Sequence, residues 1–301
     1  MLNNLKYKFH RIGFYIYSVK YYYEDNHKEK GVIRSAFKAI FKNLKIFNYK
    51  NGYYEYLEIP ITNRCSLRCK DCFNLIPYYK KRCDYDLDTL TKSIKTFLTC
   101  ISNIVYVRVL GGEPFLSSNI VPILKQLIKS DKIQRIEIVT NGTVVPKDKE
   151  LIKLMQNPRV MVSISVYPMV NCDRLVEVLK ENNIKYHLDK ATYWLSPGEP
   201  TKRNRTFKEL KKQFRQCSHV CKSLVNGQVH YCPRSSHGMD LGLIENNPKD
   251  YVNLLDKKTS IKEKQKQLAG LYKKKCITAC DYCDFGTKLG KRIPVAEQIE
   301  K

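Results

Sequence analysis

The sequence predicts an α/β protein built on a parallel sheet, followed by a smaller cysteine-rich region. Three observations predict it. Between about residues 55 and 195, short β-favouring runs alternate with amphipathic helical patterns, the rhythm of βα units. After Pro197 and Pro200 that rhythm stops and the chain becomes more charged and loop-rich. Six of the twelve cysteines lie beyond residue 200. A chain of 301 residues that is 43% hydrophobic and 11% aromatic can bury a proper core, which excludes wholesale disorder.

The elements follow in order. Residues 1–52 carry eleven Lys/Arg against three Asp/Glu, and Ile33, Phe37, Ile40, Phe41, Leu44 and Phe47 recur at helical spacing between Lys38, Lys42 and Lys45. This is a basic amphipathic helix, expected to pack on the neighbouring domain, with contact to a membrane surface as the alternative. Strands are expected at Tyr56 to Ile61, Ile104 to Leu110, Gln134 to Val139, Val160 to Val166 and Lys185 to Leu188, with a weaker sixth at Thr192 to Leu195. Between them, Leu87, Leu90, Ile94, Phe97, Leu98 and Ile101 form one helical face, capped by Asp86. Ile120, Ile123, Leu124, Leu127 and Ile128 form a second. Leu151, Leu154 and Met155, then Leu175, Val176 and Leu179, mark two shorter helices. The division is therefore 1–52, 53–200 and 201–301, the last a small domain that needs metal to supplement its core.

The formal charge is +25, from 54 basic and 29 acidic residues. That excess suits an anionic partner, although Lys-rich surfaces are ordinarily just solvated. A nucleic-acid partner is not expected. No run approaches a membrane span or a secretory h-region, so the protein is expected to be cytoplasmic, with reduced thiols that serve as ligands or catalysts rather than disulfides.

The first expected strand runs into Cys65-Ser66-Leu67-Arg68-Cys69-Lys70-Asp71-Cys72. Three thiolates this close repel unless a cation sits between them, and soft sulfur ligands choose zinc, copper(I) or an iron–sulfur cluster. Arg64, Arg68 and Lys70 are expected to lower the thiol pKa values. Three ligands on a four-iron cluster leave one iron open. Cys83 is the nearest candidate for a fourth ligand, though a small apolar role at a helix start suits it better. Gly111-Gly112-Glu113-Pro114 follows the second strand; its glycines allow close backbone approach, and Glu113 offers a carboxylate to an ammonium. Thr140-Asn141-Gly142 follows the third strand. Ser163 and Ser165 face one side of the fourth.

In this order, C-x3-C-x2-C, GGEP and TNG after successive strands resemble the radical S-adenosylmethionine (SAM) enzymes. The resemblance covers roughly residues 55 to 195 and implies a partial (β/α)6 TIM-like barrel. It implies that Cys65, Cys69 and Cys72 hold a [4Fe–4S] cluster with an open iron, and that Gly111, Gly112, Glu113, Pro114, Asn141, Ser163 and Ser165 meet SAM. Reductive cleavage of SAM would then give a 5′-deoxyadenosyl radical that takes hydrogen from a substrate: a peptide, sugar or small metabolite. A flavodoxin- or ferredoxin-type reductant is implied. Asp71 stands where many members have an aromatic, and Phe73 follows it.

The last region holds Cys217-x3-Cys221, Cys232, and Cys276-x3-Cys280-x2-Cys283. Asn226-Gly227, flanked by β-favouring residues, predicts a hairpin. The arrangement is similar to the SPASM or twitch extensions of radical SAM enzymes, which bind auxiliary four-iron clusters and show C-x(9–15)-G-x4-C. Cys221 to Cys232 is read as that pattern. The expected ligands are Cys221, Cys232, Cys280 and Cys283, with Cys217 and Cys276 spare. Tetrahedral zinc is the rival for such a set. A non-catalytic, zinc-stabilised basic module binding nucleic acid or membrane is the rival for the whole chain. His219, His230 and His237 lie nearby as candidate ligands or proton relays, each better suited to a structural role. Cys100 and Cys172 read as core thiols.

Overall fold

The computed structural model describes residues 52–217, 221–287 and 289–299. The basic helix expected between Ile33 and Phe47, and His219, lie outside them.

Five parallel strands form the body of one sheet: β1 (Tyr53–Thr62), β2 (Asn103–Gly111), β3 (Ile133–Thr140), β4 (Val160–Ser165) and β5 (Tyr186–Asp189). Each pairs with the next in sequence, β1 with β2 through β4 with β5. The four crossovers carry α1 (Leu87–Cys100), α2 (Ile120–Ile128), α3 (Lys149–Met155) and α4 (Asp173–Glu181). Asp86 caps α1 as expected, accepting the Thr89 N–H at 2.8 Å.

Strand alternation divides the sheet's two faces. Leu57, Ile59, Ile61, Val107, Val109, Ile136, Ile138, Val162 and Ile164 face the helices and join one apolar core. Fully burying such side chains stabilises the fold by about 1.5–3 kcal/mol each, which fixes the register strongly. The opposite face carries Tyr56, Glu58, Arg108, Glu137 and Ser163. Charges survive there because they are paired: Arg108 Nε binds the Glu137 carboxylate, and the Tyr56 hydroxyl donates to Glu58 at 2.8 Å.

The α/β class and the cysteine-rich sequel are both present, but one strand differs from expectation. The weak sixth strand exists as β6 (Trp194–Leu195), yet it does not extend the sheet beside β5. Only two residues precede Ser196 and Pro197, too few for a sheet strand, and β6 pairs antiparallel with β10 (Arg292–Ile293) as a separate ribbon.

Beyond residue 200 come α5 (Phe207–Gln216), β7 (Ser223–Val225), β8 (Gln228–His230), α6 (Pro233–Asp240), β9 (Tyr251–Asn253) and α7 (Ile261–Leu271). The expected Asn226-Gly227 hairpin forms, with φ of 47° and 80° and Val225 opposite Gln228. The β7 strand docks parallel to β1 at Glu58, so the sheet continues across the expected boundary in the order β5-β4-β3-β2-β1-β7-β8-β9. Leu224, Val229, Val252, Leu254, Leu268 and Leu271 join the main core. A small second core gathers Tyr231, Ile244, Ile277, Ala279 and Tyr282.

Candidate metal-cluster site

The three-cysteine loop leaves the carboxyl end of β1 and is built onto the ends of β2 and β3. The Glu113 N–H donates to the Arg64 carbonyl at 2.7 Å and the Gly112 N–H to the Thr62 carbonyl at 3.0 Å. These contacts need glycine. A Cβ on Gly112 would stand 2.0 Å from the Arg64 oxygen, and one on Gly111, at φ +150°, 2.2 Å from the Thr62 oxygen.

Glu113 has no exposed surface. Its oxygens accept from the Thr140 hydroxyl at 2.8 Å, the Phe115 N–H at 3.1 Å and the Asn141 N–H at 2.9 Å. Burial outweighs these three bonds and pushes its pKa up to about 7. The carboxylate therefore locks the GGEP turn to the TNG turn from behind. From there the Asn141 side chain reaches forward, donating to Ser66 Oγ at 3.1 Å and towards Cys65 Sγ at 3.6 Å.

The three thiols lie within electrostatic reach of one another. The charge of Cys72 bears on Cys65, that of Cys65 on Cys69, and that of Cys69 on Cys72. Burial is the largest influence and pushes Cys65 and Cys72 up to about 11. The expected lowering by Arg64, Arg68 and Lys70 does not occur. Arg64 pairs with Asp84 at 3.4 Å, and Arg68 and Lys70 point into solvent, where their charge is screened. Arg82 is the cation that bears on Cys65 and Cys72. Cys83 stands apart, its thiol accepting the Asn63 amide at 3.8 Å.

N–H donors surround the triad. Leu67 N–H points at Cys65 Sγ at 3.4 Å, the Gln298 amide at Cys69 Sγ at 3.3 Å, and the Asn74 and Ile76 backbone at Cys72. Three half-buried thiols under a ring of donors fit an anionic iron–sulfur cluster with three protein ligands. Among the described residues, no three His, Cys, Asp or Glu side chains converge on a single ion.

Ser163 is buried on the inner face of β4. Ser165 shares a hydrogen bond with Tyr167, whose hydroxyl feels the charge of all three thiols. Tyr167 stacks edge-on against Trp194 at 5.7 Å. Sequence reasoning missed Tyr167 and Gln298. Tyr167 was within reach, two residues beyond Ser165; Gln298 carries no sequence signal.

In the later region the charges of Cys217 and Cys283 bear on Cys232, and those of Cys232, Cys217 and Cys283 on Cys280. These four lie within electrostatic reach of one another. Cys217 ends α5, Cys232 precedes α6, Cys280 lies within a 3-10 turn at Thr278–Tyr282, and Cys283 follows that turn. Burial pushes Cys232 up to about 12. Arg205 holds the Cys280 and Cys283 carbonyls at 3.1 and 2.7 Å, and Arg234, 1% exposed, bonds the Tyr282 carbonyl at 2.9 Å beside Cys283. Buried cations suit an anionic group here.

Cys221, expected in this set, lies elsewhere. Docking of β7 on β1 carries it to Glu58, Arg108 and the Tyr56 hydroxyl, and burial raises its pKa. The spacing agrees: nine residues separate Cys217 from Gly227, and five separate Cys221 from it. Cys276 lies by Asp250 and Lys274. Cys100 is in the core and Cys172 packs against it. His230 and His237 are buried, and desolvation pushes both down to about 3. Phe73, next to Cys72, and Phe285, two residues after Cys283, meet edge to face at 5.7 Å.

Taken together, the parallel sheet, the thiol triad at its carboxyl end and the glycine turn above it define an iron–sulfur α/β protein. Comparison with known proteins names the domain. Residues 59–190 match the model of the radical SAM superfamily, so that stretch is a radical SAM domain, the kind that uses a [4Fe–4S] cluster and SAM. Among similar proteins are GTP 3′,8-cyclases. That of Lactiplantibacillus plantarum is 26% identical over 48% of this chain and 43% of its own length. That of Alkaliphilus oremlandii is 30% identical over 44% and 41%. The chain therefore spans under half the length of the relatives it matches. Among solved structures, native anSMEcpe with bound AdoMet has a TM-score of 0.48 and 14% identity, covering 77% of this chain and 83% of its own. No helix among the described residues is long and apolar enough to cross a membrane.

Proposed function

We propose that this protein cleaves SAM reductively at a cluster held by Cys65, Cys69 and Cys72, and directs the resulting radical at a peptide, sugar or small-metabolite substrate. The observation that carries the reading is the triad of neighbouring thiols under N–H donors at the end of β1. When bound, the cluster and SAM supply an electron and a 5′-deoxyadenosyl radical that abstracts hydrogen.

The chain's residues prepare that chemistry. Cys65, Cys69 and Cys72 would hold the cluster, and the Gly111–Pro114 segment, stiffened by Glu113, would receive the amino-acid end of SAM. Asn141, Ser163 and Ser165, with Tyr167 beside Ser165, line the inner face that would meet the rest of it. Burial of that face excludes water.

A twitch-like auxiliary [4Fe–4S] cluster belongs to the same proposal. Its ligands are Cys217, Cys232, Cys280 and Cys283, a reading supported by their mutual proximity and by the Cys217-x9-Gly227-x4-Cys232 spacing. A flavodoxin- or ferredoxin-type donor, whose acidic surface would suit a +25 chain, supplies the electron. The rival, a zinc-stabilised binding module, leaves the radical SAM domain without a purpose and has no support here.

Release of 5′-deoxyadenosine by the anaerobically reconstituted, chemically reduced protein tests the proposal. Cys69→Ala should lose it by at least about a hundredfold, since two ligands do not hold the cluster. Wild-type rates in Cys69→Ala would defeat it.

A further inference from the structure

The stretch from Val295 to Ile299 lies against the three-cysteine loop as a short antiparallel partner. The Lys70 N–H donates to the Glu297 carbonyl at 2.8 Å and the Ile299 N–H to the Arg68 carbonyl at 2.9 Å, with Cys69 opposite Gln298. Val295 and Ala296 are buried and anchor the stretch, and β10 just before it is tied to β6. From the β6 side, Ser196 Oγ donates to Asp71 at 2.5 Å, so the ribbon braces the loop from both of its strands.

The Gln298 amide is fixed in orientation. Its Oε1 accepts the Arg68 N–H at 2.7 Å, and a backbone N–H can only donate, so the amide nitrogen must face the other way. One N–H then points at Cys69 Sγ at 3.3 Å and the other at the Ala296 carbonyl at 2.5 Å. Both donor hydrogens are used, and one is spent on a thiol that the proposed function makes a cluster ligand.

We propose that Gln298 is a positioning residue that holds Cys69 and raises the reduction potential of the first cluster. The inference rests on the reading of that site given above. A reduced cluster carries one more negative charge than the oxidised one. An N–H aimed at a ligand sulfur therefore stabilises the reduced form more, and the potential rises. The donors at Cys65 and Cys72 come mostly from the loop itself. The donor at Cys69 comes from 229 residues away in sequence. It is in place only when the 295–299 stretch is seated, so the readiness of the cluster to take an electron is coupled to the docking of that stretch and of the β6–β10 ribbon.

The test is an EPR-monitored redox titration of the full chain after anaerobic reconstitution, with the signal assigned by its loss in Cys69→Ala. Gln298→Ala should keep its iron but show a lower midpoint. At a fixed donor potential its reduced fraction should fall about threefold to tenfold, the size of one hydrogen bond; tenfold is about 59 mV for one electron. Gln298→Glu keeps the shape, loses the N–H and adds a negative charge, so its midpoint should fall further. Midpoints equal to wild type in both variants, with iron retained, would overturn the inference. So would loss of the loop's iron in Gln298→Ala with a wild-type midpoint in Gln298→Glu, because Gln298 would then act through shape alone. A wild-type protein with no cluster at this loop would overturn the reading of the site itself, and the inference with it.

Discussion

Cys217 and Cys221 are four residues apart and go to different places. Cys217 ends a helix beside Cys232 and Cys280, whereas Cys221 is drawn under β1 against Glu58 and Tyr56. If the later four thiols hold a cluster, Cys217→Ala should lose about half of the reconstituted iron and Cys221→Ala almost none, as read by iron analysis per chain. The reverse result would restore Cys221 as the ligand. Glu113 gives a second test at this scale. Its folded pKa, about 7, lies above the reference value of 4.5. Its contribution to stability is therefore present below pH 4.5 and lost as pH rises through 7, where burial opposes the anion. Between those values the stability of the wild type should fall with rising pH more steeply than that of Glu113→Gln, as read by thermal unfolding; equal slopes would show that the carboxyl is not held protonated by burial. The triad itself was legible because its spacing is local. The Cys217 assignment was equally legible from its distance to Gly227, whereas the position of Cys221 depends on β7 docking on β1, which no local pattern announces.

At the scale of elements, the turn after β2 decides whether the cysteine loop can seat. Gly112→Ala puts a Cβ where the Arg64 carbonyl stands, so it should cost about 1–3 kcal/mol and strip iron from the loop. Gly270→Ala is the control: inside α7 a Cβ there meets nothing within 4 Å, and it should raise stability by about 0.5–1 kcal/mol. Thermal unfolding of the two variants separates a close-approach glycine from an incidental one; equal effects would mean the turn is not tightly packed. The first four parallel strands were readable because each has a long apolar face, the short β5 because it continues the βα rhythm, and the Asn226-Gly227 hairpin because its turn residues dictate the conformation. The two-residue β6 and β10 and the bridge from Gln298 to Cys69 were not. Their pairing is set by packing between segments about a hundred or more residues apart, and two or three residues carry no periodicity to read.

Among the described residues, one eight-stranded sheet and the small β6–β10 ribbon frame two thiol groups. Where the sequence shows a change of composition at residue 200, the structure shows β7 continuing the sheet from β1, because the apolar residues of the hairpin complete the core of the preceding strands. Phe73, beside Cys72, and Phe285, near Cys283, join the two regions edge to face. The matches to GTP 3′,8-cyclases cover less than half the chain. The central claim is that Cys65, Cys69 and Cys72 hold a cluster with one iron open to SAM. The most direct measurement is the EPR spectrum of the reduced, anaerobically reconstituted protein with and without SAM. A signal that needs Cys69 and changes shape when SAM is added is the predicted result. Full iron with a spectrum indifferent to SAM would contradict the claim, and would point to a cluster closed by a fourth protein ligand, with Cys83 the first to replace.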